Sequence, residues 1–181
     1  TMEDAHLYLQ DFNNVPGQGY FAIFDGHAGK FAAEWCRDNM NRILSEELNV
    51  CPHMDVREVM RNAFLKADEQ LEAESRSAGV RSGCTAVISL IRLESDDSDQ
   101  NKSRRRVLYT ANVGDARSVL WYVDTSVCRL QLLTMNASRG GKAIRLTYDH
   151  KGSDEFESKR ITEKGGFLLN NRVNGACNLC V

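Results

Sequence analysis

The residues best suited to chemistry stand where an apolar segment of the chain ends. Five apolar or aromatic residues, 20–24, are followed directly by Asp25, Gly26 and His27. A carboxylate beside a buried segment is costly unless it is paired or binds a metal ion, so Asp25 is a candidate metal ligand. Gly26 allows its carbonyl oxygen to approach an ion, and His27 can exchange a proton near neutral pH. Taken alone, these residues also fit a plain strand and turn with a surface histidine.

Three further acids lie beside unusual backbone elsewhere in the chain. Glu3 and Asp4 precede the first predicted strand, and Asp115 follows Gly114 in a predicted turn. Carboxylates without clustered histidines or thiolates favour hard ions, so magnesium or manganese is expected. Two such ions about 3.5–4 Å apart, bridged by one carboxylate, can hold a water in line with a phosphoryl group. Asp25 is the predicted bridging residue.

The pattern of apolar residues predicts the elements that position these acids. Helices with apolar stripes are predicted at 28–48 and 55–71, the second with Asp55 as N-cap, and a shorter helix at 154–164 begins after Ser153. Strands are predicted at 5–9, 20–24, 84–93, 106–113, 118–123 and 144–147. We expect strand 20–24 to be covered on both faces, and Gly114-Asp115 to form a hairpin turn. Blocks of helices between blocks of strands indicate an α+β fold.

Composition limits the class of protein. The chain has 181 residues, of which 42% are hydrophobic, enough for one domain with a sizeable core. Its net charge of −2, from 23 basic and 25 acidic residues, gives no general attraction to nucleic acid or membrane. No apolar run spans a bilayer and no signal peptide is evident, which predicts an intracellular protein, cytoplasmic and/or nuclear. We expect a monomer that acts on a small molecule or a protein.

Six cysteines are scattered along the chain, and we expect most of them to be buried, reduced thiols. Cys177 and Cys180 have C-x-x-C spacing, which supplies only half a zinc site. Residues 94–105 form a predicted surface insert, acidic in its first half and basic in its second. A docking site for an acidic partner at Arg104-Arg105-Arg106 is the less favoured interpretation of that insert.

Six short motifs occur in a fixed order along the chain. They are Met2-Glu3-Asp4, Phe24-Asp25-Gly26-His27-Ala28-Gly29, Ser82-Gly83-Cys84-Thr85-Ala86, Ala111-Asn112-Val113-Gly114-Asp115-Ala116-Arg117, Leu146-Thr147-Tyr148-Asp149-His150-Lys151 and Arg172-Val173-Asn174-Gly175. Together they resemble successive motifs of the metal-dependent serine/threonine protein phosphatases of type 2C. The chain looks nearest to the fungal members of that family.

The resemblance implies a four-layer α-β-β-α sandwich of two antiparallel sheets flanked by helices. It also implies hydrolysis of phosphoserine and phosphothreonine in phosphorylated protein substrates by a metal-activated water at a binuclear magnesium or manganese site. By resemblance, Glu3 and Asp25 are metal ligands, Gly26 coordinates through its carbonyl, and His27 protonates the leaving oxygen. Asp115 would help to hold a third, weaker ion. No role is implied for Asp4, while Ser82–Thr85 and Arg117 are read as architectural.

The chain departs from the family pattern at both ends. The resemblance runs from residue 1 to about 175, so we interpret 1–181 as a partial catalytic domain, incomplete at the C-terminus, with an atypical tail at 176–181. The phosphate-binding arginine before Met2 and the later metal-binding acids are not in this sequence, and the chain alone is expected to be a weak enzyme. The alternative is an inactive fragment or pseudophosphatase that acts by protein binding. A nucleotide-binding protein is disfavoured because no Gly-rich phosphate loop is present.

Overall fold

A computed structural model of the protein describes residues 2–95, 104–123, 141–170 and 172–173. These residues include three α-helices: α1 (Phe31–Val50), α2 (Val56–Ala78) and α3 (Glu155–Glu163). The strands are β1 (Ala5–Gln10), β2 (Gly19–His27), β3 (Gly83–Ser95), β4 (Arg104–Val113), β5 (Val119–Val123), β6 (Gly141–Arg145), β7 (Leu168–Leu169) and β8 (Arg172–Val173). Helices and antiparallel sheets together confirm the predicted α+β class.

The largest sheet has four antiparallel strands in the order β1-β2-β3-β4. Helices α1 and α2 pack on one face of it, which we call the inner face, and the hydrophobic core lies between them. The largest fully buried side chains all belong to this layer: Tyr20, Phe24, Ile43, Leu44, Val59, Met60, Ile88 and Leu90. The helical pair and the sheet therefore form the rigid support of the domain.

The two long helices follow the apolar periodicity of the sequence. The Asp55 carboxylate accepts a hydrogen bond of 2.8 Å from the Arg57 amide, which confirms Asp55 as the N-cap of α2. At α3 the prediction of Ser153 as the start is wrong by one residue. Asp154 is the N-cap there and accepts a hydrogen bond of 3.1 Å from the Glu157 amide. A carboxylate next to the first turn is at least as good a cap as the preceding serine.

Strand β2 is not covered on both faces, and that prediction is wrong. Tyr20, Ala22 and Phe24 face the helices and are buried, whereas Phe21 and Ile23 on the outer face are 40% and 55% exposed. The Phe21 ring stacks on Tyr8 of β1 at a centroid distance of 5.0 Å. The strand also continues through His27, beyond its predicted end. Asp25 therefore lies on the outer face, away from the helices.

The turn at Gly114-Asp115 does not form the hairpin that the sequence predicts. β5 pairs with β6 and not with β4, so the Gly114-Asp115 turn joins two sheets instead of closing a hairpin. The Ser118 hydroxyl, just before β5, is 3.3 Å from the Ser89 hydroxyl on the outer face of β3. The turn thus brings the start of β5 over the outer face, close to the strand that carries Asp25.

Several smaller features complete the comparison with the sequence. β3 and β4 extend into both ends of the insert predicted at 94–105, and β6 begins and ends earlier than the predicted strand 144–147. Among the described cysteines, Cys36, Cys51 and Cys84 are free thiols. Cys177, Cys180 and the tail at 176–181 lie outside the described residues. Within the described part of the chain, no helix has the length and hydropathy needed to cross a membrane.

Candidate active site

The register of β1 on β2 brings the first motif beside the second. Ala5 pairs with Phe24, so one further step along the ladder places Asp4 opposite Asp25 and a second step places Glu3 opposite Gly26. The fit at Gly26 is very close. A Cβ atom added to this residue would lie 2.2 Å from the Glu3 carbonyl oxygen and 3.0 Å from the Glu3 carbonyl carbon. Glycine is therefore required at position 26 by the backbone of the neighbouring segment.

The register of the ladder places Asp4 and Asp25 on the same outer face of the sheet. Partial burial raises the pKa of Asp25 above its ordinary value, and the charges of Asp4 and Asp115 raise it further. The positive charge of His27 opposes this shift but does not cancel it. The structure thus places two acids and a histidine near Asp25, and of these Asp4 has no role predicted from the sequence.

Glu3 is held differently from the other acids. Its carboxylate accepts a hydrogen bond of 3.2 Å from the Gly29 amide, in the tight connection between β2 and α1. The Ala32 amide, in the first turn of α1, donates a hydrogen bond of 3.1 Å to the Ser82 hydroxyl. These two contacts help to satisfy amides near the start of α1, which has no side-chain cap of its own. Glu3 is thereby fixed beside the end of β2.

Asp115 owes its position to the amide side chain of Asn112. The Asn112 Nδ2 atom donates to the carbonyl oxygens of Ala116 at 3.2 Å and Tyr148 at 2.7 Å, which holds the turn against the 146–150 segment. Gly114 in that turn has a φ of +75°, a conformation that favours glycine. Lys151 Nζ lies 3.5 Å from the Asp115 carboxylate. Asn112 belongs to the fourth motif, but the motif alone does not predict that its side chain positions the turn.

The pairing role expected for Arg117 is present in the structure. Its guanidinium donates a hydrogen bond of 2.7 Å to the Asp149 carboxylate, which also forms an ion pair with Arg145. The Asp149 side chain is only 12% exposed, so these two cations balance a carboxylate largely removed from water. The ion pairs tie the start of β5 to the segment that follows β6, which supports the loop carrying Asp115.

Thr85 is a second residue whose position at the site was not foreseen. The register pairs it directly with Asp25, on the outer face of the sheet. Its side chain is buried, and its hydroxyl oxygen has no hydrogen-bond partner among the described residues. A buried hydroxyl without a partner is unfavourable, so Thr85 offers a donor to whatever occupies the site beside Asp25.

The geometry brings some of the predicted ligands together and leaves others as predictions. Asp25, Asp115 and His27 interact electrostatically, and Glu3 meets Gly26 through its backbone. Within the part of the chain that the structure describes, no three acid, histidine or cysteine side chains converge closely enough to hold a metal ion. Coordination by Glu3, Asp25, the Gly26 carbonyl and Asp115 therefore stays a prediction.

Comparison with known proteins decides the family. The family model described as protein phosphatase 2C matches residues 1–180. The chain belongs to the protein phosphatase 2C family. It is 41% identical to protein phosphatase 2C homolog 1 of Saccharomyces cerevisiae, over 97% of this chain and 57% of that protein. It is 39% identical to protein phosphatase 2C homolog 1 of Schizosaccharomyces pombe, over 97% of this chain and 43% of that protein.

Solved structures show the same fold. A serine-threonine phosphatase 2C from Toxoplasma gondii superposes with a TM-score of 0.65 at 20% identity, over 96% of this chain and 55% of that one. A sex determining protein of C. elegans gives a TM-score of 0.69 at 23% identity, over 99% of this chain and 40% of that one. The expected similarity to fungal 2C phosphatases is confirmed. The chain spans about half the length of the curated relatives it matches.

The contact at Gly26 gives a first prediction. Gly26→Ala places a methyl group against the Glu3 carbonyl, a backbone group that cannot rotate away. We expect the free energy of unfolding to fall by about 1–3 kcal/mol, as for other overpacked sites. Gly19→Ala is the matched control on the same strand, because its methyl group would meet the ring edge of Phe21, a movable side chain. Equal losses for the two variants in urea unfolding would contradict the close approach of Glu3.

The raised pKa of Asp25 gives a second prediction. A carboxyl whose pKa is higher in the folded state than in the unfolded state stabilises the fold at low pH, and this contribution is lost as pH rises through the folded pKa. In buffer with EDTA at pH 7, Asp25→Asn should therefore raise the melting temperature. The gain should vanish below the ordinary aspartate pKa of 3.8.

Asp38→Asn is the control for this experiment. A hydrogen bond from Arg37 lowers the pKa of Asp38, so the loss of that carboxylate should slightly lower the melting temperature at pH 7. If Asp25→Asn also lowered the melting temperature at pH 7 without metal, the three acids would not be repelling one another.

Proposed function

We propose that the protein containing this chain hydrolyses phosphoserine and phosphothreonine in proteins, with magnesium or manganese ions held at the Asp25 cluster. The observation that carries the proposal is the alignment of Glu3 and Asp4 with Gly26 and Asp25 at the end of β2. Membership of the 2C phosphatase family supports the reaction class. The proposed ligands are Glu3, Asp25, the Gly26 carbonyl and, for a third ion, Asp115, and the structure adds Asp4 as a candidate.

The donor set fits hard divalent ions. All of the candidate ligand atoms are oxygens, which magnesium and manganese prefer over the nitrogen and sulfur donors of zinc sites. Burial raises the pKa of Asp25, and repulsion by the charges of Asp4 and Asp115 raises it further. A cation among these carboxyls would remove the repulsion. When bound, two such ions would supply Lewis acidity for the attacking water and would neutralise charge on the phosphoryl group.

His27 is the candidate proton donor. It follows Gly26 on β2, is half-buried, and lies close enough to Asp25 for its charge to lower the pKa of that carboxyl. A protonated imidazole at this position can give its proton to the serine or threonine oxygen as the phosphate leaves. Asp25 and His27 therefore have complementary roles, one as a metal ligand and the other in assisting the leaving group.

The alternative of an inactive fragment or pseudophosphatase gains no support from a particular observation. Glu3, Asp25, Gly26 and His27 are retained together, and Gly26 and Glu3 fit each other closely. A protein that served only as a binding partner would have no need for this acidic cluster. We therefore keep catalysis as the proposed function of the whole protein.

The test separates the roles of the two central residues. In the full-length protein, Asp25→Asn should abolish manganese-dependent hydrolysis of a phosphothreonine peptide and weaken manganese binding. His27→Ala should retain manganese binding by calorimetry but lower kcat about 10²–10⁴-fold, the usual contribution of general acid catalysis. His53→Ala, at an exposed position between α1 and α2, is the control and should change neither property. Loss of manganese binding in His27→Ala would show that His27 is a ligand and not the acid.

A further inference from the structure

Two cysteines, one on α1 and one on β3, lie side by side on the inner face of the sheet, opposite Asp25. Cys36 is in the second turn of α1 and Cys84 is near the start of β3, and their sulfur atoms are 3.7 Å apart. Both side chains are buried, and both are free thiols. A disulfide has an S–S distance of about 2.05 Å, so the two sulfurs would have to approach by only about 1.7 Å to bond. The pair is close enough for a small local movement to join it.

The pair is also reachable from one side. A cleft of about 430 Å³ lies between α2, the inner face of the sheet and α3, and both cysteines line it. The rest of its wall near the sulfurs is mostly apolar and includes Met40, Phe64 and Ala111. Its volume is many times the roughly 30 Å³ that one water occupies, so a small uncharged oxidant fits inside. A thiol pair sealed in the core would lack this route.

We propose that Cys36 and Cys84 form a redox site at which hydrogen peroxide, or another small hydroperoxide, makes an intramolecular disulfide. In the first step, with hydrogen peroxide, one thiol loses its proton and the thiolate attacks a peroxide oxygen; the O–O bond breaks and the departing hydroxide takes up that proton, so a sulfenic acid and one water result. In the second step the other thiol attacks the sulfenic sulfur, the S–O bond breaks, and a second water leaves as the S–S bond forms. Two thiols are oxidised and one peroxide is reduced to two waters.

The surroundings of the two cysteines determine how fast each oxidation step proceeds. Both thiols are largely buried and are reached through the cleft, and buried cysteines react slowly. The first step is therefore slow at neutral pH, and the site responds to sustained oxidation and not to brief exposure. The second step is fast because the resolving thiol is already 3.7 Å away. Slow entry and fast closure favour the disulfide over further oxidation of one sulfur.

The position of Cys84 couples this chemistry to the acidic cluster. Cys84 pairs in register with Gly26, and the next residue, Thr85, pairs with Asp25. A bond to Cys36 would draw the start of β3 toward α1, on the face opposite to Asp25. The end of β2 would then lose its present fit between β1 and β3. We expect the oxidised form to bind divalent metal more weakly; this consequence rests on the proposed function, whereas disulfide formation does not.

The cross-link can be mapped directly in the full-length protein. After peroxide treatment and blocking of remaining thiols with N-ethylmaleimide, a tryptic digest without reductant should contain residues 31–37 joined to residues 82–92, each of which carries one cysteine. Dithiothreitol should separate the two peptides. Cys36→Ala and Cys84→Ala should each abolish the linked peptide, whereas Cys51→Ala, at the half-buried free thiol after α1, should leave it unchanged. Circular dichroism checks that the variants are folded.

Manganese titration calorimetry then tests the coupling. The oxidised protein should bind manganese about fivefold more weakly, the low end of coupling between linked sites, and dithiothreitol should restore the affinity. Peroxide should not change the affinity of Cys36→Ala. Recovery of Cys36 and Cys84 as separate maleimide adducts or sulfinic acids, or joined to other cysteines, would overturn the redox site. A linked peptide with unchanged affinity would overturn the coupling, and absence of manganese binding in both forms would count against the proposed function instead.

Discussion

The close approach of the Glu3 carbonyl to Gly26 is the constraint on which the site depends. Because no side chain intervenes, the segment before β1 can continue along β2 beyond the last regular pair, Ala5 with Phe24. That continuation sets Asp4 opposite Asp25 and lets the Glu3 side chain reach the start of α1. A larger residue at position 26 would push the first motif away from the second, and three of the acids discussed above would no longer share one edge of the sheet.

The same arrangement has an electrostatic cost, because it places acids close to one another. Partial burial raises the pKa of Asp25, and repulsion by the charges of Asp4 and Asp115 raises it further. Such repulsion is a disadvantage to the fold alone, and it is removed only when a cation binds or a proton is taken up. The loop that brings Asp115 near Asp25 is fixed by contacts of its own. The Asn112 amide and the Arg117–Asp149 ion pair hold the backbone at the junction of two sheets.

The sequence predicted the parts of the fold that depend on local pattern. The stripes of α1 and α2, the Asp55 cap and the strand before Asp25 all follow from periodicity and capping chemistry, and they are present. The exposure of the outer face of β2 could not be predicted from the apolar pattern. Phe21 and Ile23 are as apolar as their buried neighbours Ala22 and Phe24, so the alternation of faces leaves no signal in the residue types. Likewise, the residues of a Gly-Asp turn do not show that the two strands it connects belong to different sheets.

The roles of Asp4, Thr85 and Asn112 depend on register and on contacts between distant segments. Pairing between β1 and β2 gives Asp4 its neighbour, and pairing between β2 and β3 gives Thr85 its place opposite Asp25. Neither register can be predicted from one short motif. The resemblance to 2C phosphatases supplied the motif order and the ligand candidates, while the structure supplied the alignment of strands that makes an acidic cluster from them.

The most direct test of this account is to locate manganese in crystals of the full-length protein by anomalous diffraction at its absorption edge. The account predicts anomalous peaks about 2.0–2.6 Å from the Asp25 carboxylate oxygens, on the outer face of β2 beside Asp4. Manganese bound only at sites away from Asp25, with the Asp25 carboxylate in contact with water or a basic side chain, would contradict it.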